Sequence, residues 1–228
     1  MSGGIDSEIL ARTLLKEKIP FTPLIVRFVG GHNAYDIQYA FDYCQKNGLK
    51  PEVLDIDIFA FMKDSTNTPY VLASCANLLN MHLMRYAAER GGVAIIAGGE
   101  QRFRYLDEKV VTDVSIQRVA KAHFMQAENI QAVSSFFYYT PEMMLSFFRE
   151  VKMHGFENME RYGHNIKVDI YEKFWPDLVR RPKYSGFEKV RGRRLVAEYE
   201  LHNKYGARIS ELIIPLDEFE RQLSGGKY

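Results

Sequence analysis

Apolar residues along this chain alternate between two spacings, and the alternation predicts the architecture. Ile9, Leu10, Leu14 and Leu15 recur at helical spacing and predict a helix over 7–18. The apolar run within 22–29 predicts a buried strand, followed by a turn at Gly30-Gly31-His32-Asn33 with Asn33 as N-cap. A second helix is expected to about residue 47, stopped by Gly48. Glu52-Val53-Leu54-Asp55-Ile56 reads as the next strand. A short helix over 59–64, a loop over 65–69 and a long helix over 70–90 follow, the last closed by Gly91-Gly92. Val93-Ala94-Ile95-Ile96-Ala97 is a third apolar strand. This helix–strand order predicts an α/β fold whose parallel sheet is covered by helices on both faces.

Past residue 105 the alternation stops. Segments 115–128, 141–153 and 187–203 read as helical, with Thr140 as N-cap and Pro141 opening the second. Phe136-Phe137-Tyr138-Tyr139 reads as a strand or an aromatic wedge. The expected division is an α/β core over 1–105 and a mostly helical C-terminal region over 106–228, packed as one unit. Ser224-Gly225-Gly226 precedes no helix and reads as a frayed tail.

The richest chemistry lies at the start. In Ser2-Gly3-Gly4-Ile5-Asp6-Ser7 the glycines allow positive φ and inward-turned amides, and the serines add hydroxyls. Asp6 can hold a Mg²⁺ that neutralises phosphate, and a helix begins at the same spot. An ordinary glycine turn before a helix is the plainer reading.

This run resembles the SGGxDS signature of the PP-loop ATP pyrophosphatases, the adenine nucleotide alpha-hydrolase-like superfamily, with asparagine synthetase-type synthetase domains nearest. The resemblance implies a Rossmann-like parallel sheet, with ATP and Mg²⁺ at Ser2, Gly3, Gly4, Asp6 and Ser7. It implies cleavage of ATP between the α- and β-phosphates, adenylylation of a carboxylate or amide, release of pyrophosphate, and displacement of AMP by ammonia or an amine. In that family a strand runs directly into the motif, whereas here only Met1 precedes it. A start internal to a longer reading frame is the expectation. The apolar run over 211–216 is the other candidate for that strand's place.

The resemblance extends to further residues. Val26, Arg27 and Phe28 stand where family members read the nucleotide base through backbone groups. Gly98 and Gly99 permit close approach of ribose or phosphate. Glu100 matches one acidic position of the family loop, for a second Mg²⁺ or for acceptor orientation; the neighbouring family Asp is absent. Arg102 and Arg104 can take a carboxylate or phosphate in bidentate fashion, or belong to a polar surface loop. Arg181 and Lys183 are candidates for stabilising the leaving pyrophosphate, or form a solvated basic turn.

Composition narrows the functional classes. A net charge of +1 over 228 residues supplies no field for nucleic acid or an anionic membrane. No apolar run is long enough for a membrane helix and no secretory signal is present, so a cytoplasmic location is expected. Cys44 and Cys75 fall in separate helical patterns with no CxxC pair, which argues against zinc and sulfur relay. Of the six histidines only His32 falls at the predicted active edge. Expected partners are a small-molecule acceptor, a separate amidotransferase subunit as nitrogen source, and a second copy in a homodimer. Two alternatives are a nucleotide-binding module without turnover and a sulfur-transfer or phosphosulfate-reductase-type enzyme.

Overall fold

The structure, a computed structural model, describes residues 1–58, 60–61, 75–97, 103–106, 109–112, 116–134, 136, 146, 149–150, 153 and 165–179. Within them the order is α1 (Ile5–Lys16), β1 (Leu24–Phe28), α2 (Ala34–Lys46), β2 (Glu52–Ile56), α3 (Cys75–Ala88), β3 (Ala94–Ile95), β4 (Phe103–Leu106), β5 (Lys109–Thr112), α4 (Ile116–Ala127), β6 (Ala132–Val133) and α5 (Asn165–Phe174). The chain is therefore a mixture of helices and short strands, with parallel pairing in two of three strand pairs.

β1 lies parallel to β2, with Leu24 opposite Glu52 and Phe28 opposite Ile56. β3 lies parallel to β6, and β4 pairs antiparallel with β5. The two parallel pairs share one core. Val26, Phe28, Ile56, Ile58 and Ala132 pack with Leu78, Met81 and Met84 of α3 and Phe124 of α4, and Ala94 and Ile96 close against them. Ile25, next along β1, joins Ile37, Ala40 and Cys44 of α2 instead. Successive residues of a strand point to opposite faces, so β1 is covered on both sides, as its apolar sequence requires. Full burial of side chains such as Ile25 and Met84 (both 0% exposed) contributes about 1.5–3 kcal/mol each.

Four helices end in the same way. Lys18, Gly48, Gly91 and Asn129 all take positive φ. At each, the next residue's amide bonds a carbonyl five residues back: Ile19 to Leu14, Leu49 to Cys44, Gly92 to Ala87 and Ile130 to Met125. These are Schellman closures, and each precedes a strand. The predicted stops at Gly48 and Gly91 are among them.

Several expectations need correction. α1 begins at Ile5, inside the motif, and not at residue 7. β3 spans two residues where five were expected. The stretch after 105 holds strands as well as helices: β4 and β5 form a hairpin, and β6 extends the parallel pairing of β3. α5 was not anticipated. The helix expected over 187–203 and the apolar run over 211–216 lie outside the described residues, as does most of 141–153. Asn33 stands at the N-cap position of α2 but its side chain makes no cap hydrogen bond. Among the described residues no helix is long and apolar enough to cross a membrane.

Candidate functional site: the loop at the head of α1

Ser2, Gly3 and Gly4 turn the chain into α1. Gly3 takes φ +78°, the left-handed region that glycine enters without strain. Its backbone lies against the first turn of α2: a Cβ there would stand 1.7 Å from the Asp36 carbonyl oxygen. Gly4 is the N-cap, with φ −76° and ψ 156°, and no side chain caps the helix. The two serines close the loop from outside. The Ser7 hydroxyl donates to the Gly4 carbonyl at 2.8 Å, and its oxygen accepts from the Ser2 amide at 3.2 Å. The Ser2 hydroxyl oxygen accepts from the Gly4 amide at 3.3 Å and lies 3.3 Å from Ser7 Oγ. The first intrahelical bond is Glu8 N–H to Gly4 C=O, so the amides of the preceding turn lie outside the helical ladder.

The positive end of α1 would attract an anion, but its first turn carries Asp6 and Glu8. Both carboxylates favour the helix and oppose a bare phosphate. Charge balance at the loop therefore calls for a cation delivered with the anion. Glu8, 3% exposed, is committed elsewhere: Arg12 Nε donates to it at 2.9 Å. The same guanidinium donates to both oxygens of Asp177 at 2.8 and 2.9 Å and holds that carboxyl below the usual range. It also stacks near Trp175. Asp6 accepts a hydrogen bond at 2.9 Å from the phenol of Tyr171 on α5.

Asp6 is the carboxylate for which the sequence expects a divalent ion. Among the described residues no group of three or more His, Cys, Asp or Glu is placed to hold a metal. A cation at Asp6 would take its remaining ligands from phosphate and water. That is the habit of Mg²⁺, which usually binds through one or two carboxylates plus substrate phosphates. Among the described residues, the donor set would suit Mg²⁺ carried by a nucleotide.

The C-terminal end of β1 lies close by, through the first turn of α2. Val29 N–H donates to Ile56 C=O, so odd-numbered residues here face β2 and even-numbered ones face away. On the outward edge the Met1 amine donates to Leu24 C=O. Asn33, 7% exposed, takes the next two positions: its Oδ1 accepts from Phe28 N–H at 2.8 Å and its Nδ2 donates to Val26 C=O at 2.9 Å. The backbone pair expected to read a base is therefore held by a carboxamide. Arg27 is turned to the surface, where its Nη2 donates to Asp55 of β2 at 2.7 Å. That bond holds the Asp55 carboxyl below its ordinary range. The imidazole of His32 lies over Gly30: a Cβ on Gly30 would stand 2.9 Å from His32 Nε2.

Ser2, Gly3, Gly4, Asp6 and Ser7 therefore gather at the head of α1, with Val26 and Phe28 bonded to Asn33 at the start of α2 and Arg27 turned to Asp55. Gly98, Gly99, Glu100, Arg102, Arg181 and Lys183 lie outside the described residues. Arg104 lies on β4, described for its backbone alone. Cys44 is buried, and burial pushes its thiol up, away from reactive thiolate character. Three features escaped the sequence reading. One is Tyr171; another is the Asn33 bridge. The third is Lys121, 6% exposed on α4, whose ammonium donates at 2.6 Å to the Ser134 carbonyl just past β6. Nothing in the local pattern separates Lys121 from a surface lysine. A scan against protein-family models matches no family, and searches of curated proteins and solved structures match none.

Proposed function

We propose that the chain binds Mg-ATP at the Ser2–Ser7 loop and adenylylates an acceptor, a carboxylate or amide, with release of pyrophosphate. The observation that carries this reading is the loop itself. A positive-φ glycine, two cross-bonded serines and a carboxylate converge on the N-terminus of a helix beside the C-terminal end of a parallel strand. Ligands of open parallel sheets bind at that end. The proposed architecture is Rossmann-like, with β2–β1 and β3–β6 as two halves of one sheet; their common core supports it.

In the proposed reaction, an oxygen of the acceptor attacks the α-phosphorus. The bond from that phosphorus to the bridging oxygen breaks, and pyrophosphate leaves with the electron pair. An amine or ammonia then attacks the acyl carbon, AMP departs, and the amine gives up a proton. The chain's contribution is positional and electrostatic. First-turn amides of α1 and the hydroxyls of Ser2 and Ser7 bind the β/γ-phosphates. Asp6 holds the Mg²⁺, which neutralises charge on those phosphates. Arg181 and Lys183 are proposed to stabilise the leaving pyrophosphate; Glu100, Arg102 and Arg104 are proposed for the acceptor.

A second reading, nucleotide binding without turnover, is favoured by one observation: the Asn33 carboxamide already satisfies Val26 C=O and Phe28 N–H. A base using that pair must displace it. Calorimetric titration with Mg-ATP, followed by assay for AMP and pyrophosphate with a panel of carboxylates, separates the readings. Binding with AMP release supports the enzyme. Binding without AMP release supports the module. Undiminished binding by Asp6→Ala would sink both.

A further inference from the structure

We propose that Tyr171 is a positioning residue for Asp6, holding its carboxylate in the orientation that receives a Mg²⁺–phosphate group at the head of α1. The proposal rests on the nucleotide-binding reading above. Tyr171 Oη donates to Asp6 Oδ1 at 2.9 Å across 165 residues of chain. The ring is 7% exposed and packs with Ile9 and Leu178, with Ile5 and Trp175 at the margin of the cluster. A ring held in this way fixes where its hydroxyl points. The carriage behind it is fixed as well: Arg12 of α1 grips Asp177, and both Arg12 and Lys16 lie over the Trp175 ring. Segment 165–179 is thereby clasped onto α1.

The chemistry of the donor matters. A lysine or arginine at this position would neutralise Asp6 and compete with a metal. A phenol orients the carboxylate by a neutral hydrogen bond and leaves its charge in place. Arg12, on the same helix, directs its guanidinium to Glu8 and Asp177. An oriented carboxylate loses less rotamer freedom when metal binds, which is why partners of ligating groups tune metal affinity.

The test is Mg²⁺ dependence of ATP binding in the full chain, read by calorimetry and by fluorescence of Trp175, the one tryptophan. Tyr171→Phe removes the hydroxyl and keeps the ring. It is expected to raise the half-saturating Mg²⁺ about 10- to 100-fold, the usual cost of losing such a partner, with affinity recovered at high Mg²⁺. Ile9→Ala loosens the same cluster without touching the bond, and should lower thermal stability while leaving the Mg²⁺ requirement unchanged. In an Asp6→Asn background, Tyr171→Phe should add nothing. An unchanged Mg²⁺ requirement in Tyr171→Phe, or an equal loss in the Asp6→Asn background, overturns the role of Tyr171 alone. No Mg-ATP binding by the wild-type chain overturns the underlying reading with it.

Discussion

Gly3 and Asp36 meet at a distance that admits no side chain: a Cβ on Gly3 would stand 1.7 Å from the Asp36 carbonyl oxygen. The contact seats the motif against the first turn of α2. Gly3→Ala must move backbone and also hold a left-handed φ of +78°, and the strain and the overpacking each cost about 1–3 kcal/mol. A clear drop in the urea midpoint is expected. Gly4→Ala, with φ −76° and its nearest contact Ser2 Oγ at 3.4 Å, should fold normally.

Asn33→Ala should separate stability from binding. The variant strips Phe28 N–H and Val26 C=O of their carboxamide partner, and burying such groups unsatisfied costs about 1–3 kcal/mol each. Urea denaturation should show that loss. If the nucleotide base uses the same backbone pair, Mg-ATP affinity should rise, because nothing has to be displaced. Equal or weaker ATP binding in a folded Asn33→Ala protein would place the base elsewhere.

How much of this was legible in the sequence depends on how local the cause is. β2 was read with its observed bounds because Pro51 and Asp57 frame a short apolar run. The ends of α2 and α3 were read from Gly48 and Gly91, whose left-handed turns are intrinsic to glycine. Lys18 and Asn129 make the same turn without a glycine and left no such mark. β6 is two residues long, too short for any period, and exists because Ala132 and Val133 find β3. The hairpin carries little mark, since the alternation of Phe103-Arg104-Tyr105 breaks at Leu106. α5 carries a local signal of its own, Ile166, Ile170 and Phe174 at helical spacing ahead of Pro176. At the site, the residues of the loop were named correctly as neighbours because they are contiguous. Tyr171 and the Asn33 bridge were invisible because each depends on how separate elements pack.

Met84 tests the shared core. It is 0% exposed and sits among residues from β1, β2, α3, α4 and β6. Met84→Ala should cost about 2–5 kcal/mol by chemical denaturation. A loss below that range would show that the two parallel pairs do not depend on a common core.

His82 sets a pH dependence. It is half-buried, edge-on to Phe61 at 5.5 Å. Burial, with Arg85 adding to it and Glu89 opposing, holds its pKa below the ordinary 6.5. The unfolded chain takes up a proton near that ordinary value, whereas the folded chain does so only at lower pH. Stability is therefore full above 6.5 and declines as pH falls through the window beneath it. Thermal melts at about pH 7.5 and about pH 5.5 should show the decline in the wild type and a smaller one in His82→Gln. Equal declines would assign the effect to other groups.

The clasp of segment 165–179 on α1 also sets a timetable. Asp6 and Tyr171 are 165 residues apart, and a ribosome adding roughly 5–20 residues per second needs roughly 10–30 s to cover that distance. Through that interval the Ile5–Ile9 side of α1 waits on the nascent chain without its cover. α1 is thus finished long after it is made, and a transcript broken ahead of the codon for Asn165 yields a protein whose first helix keeps that apolar side bare.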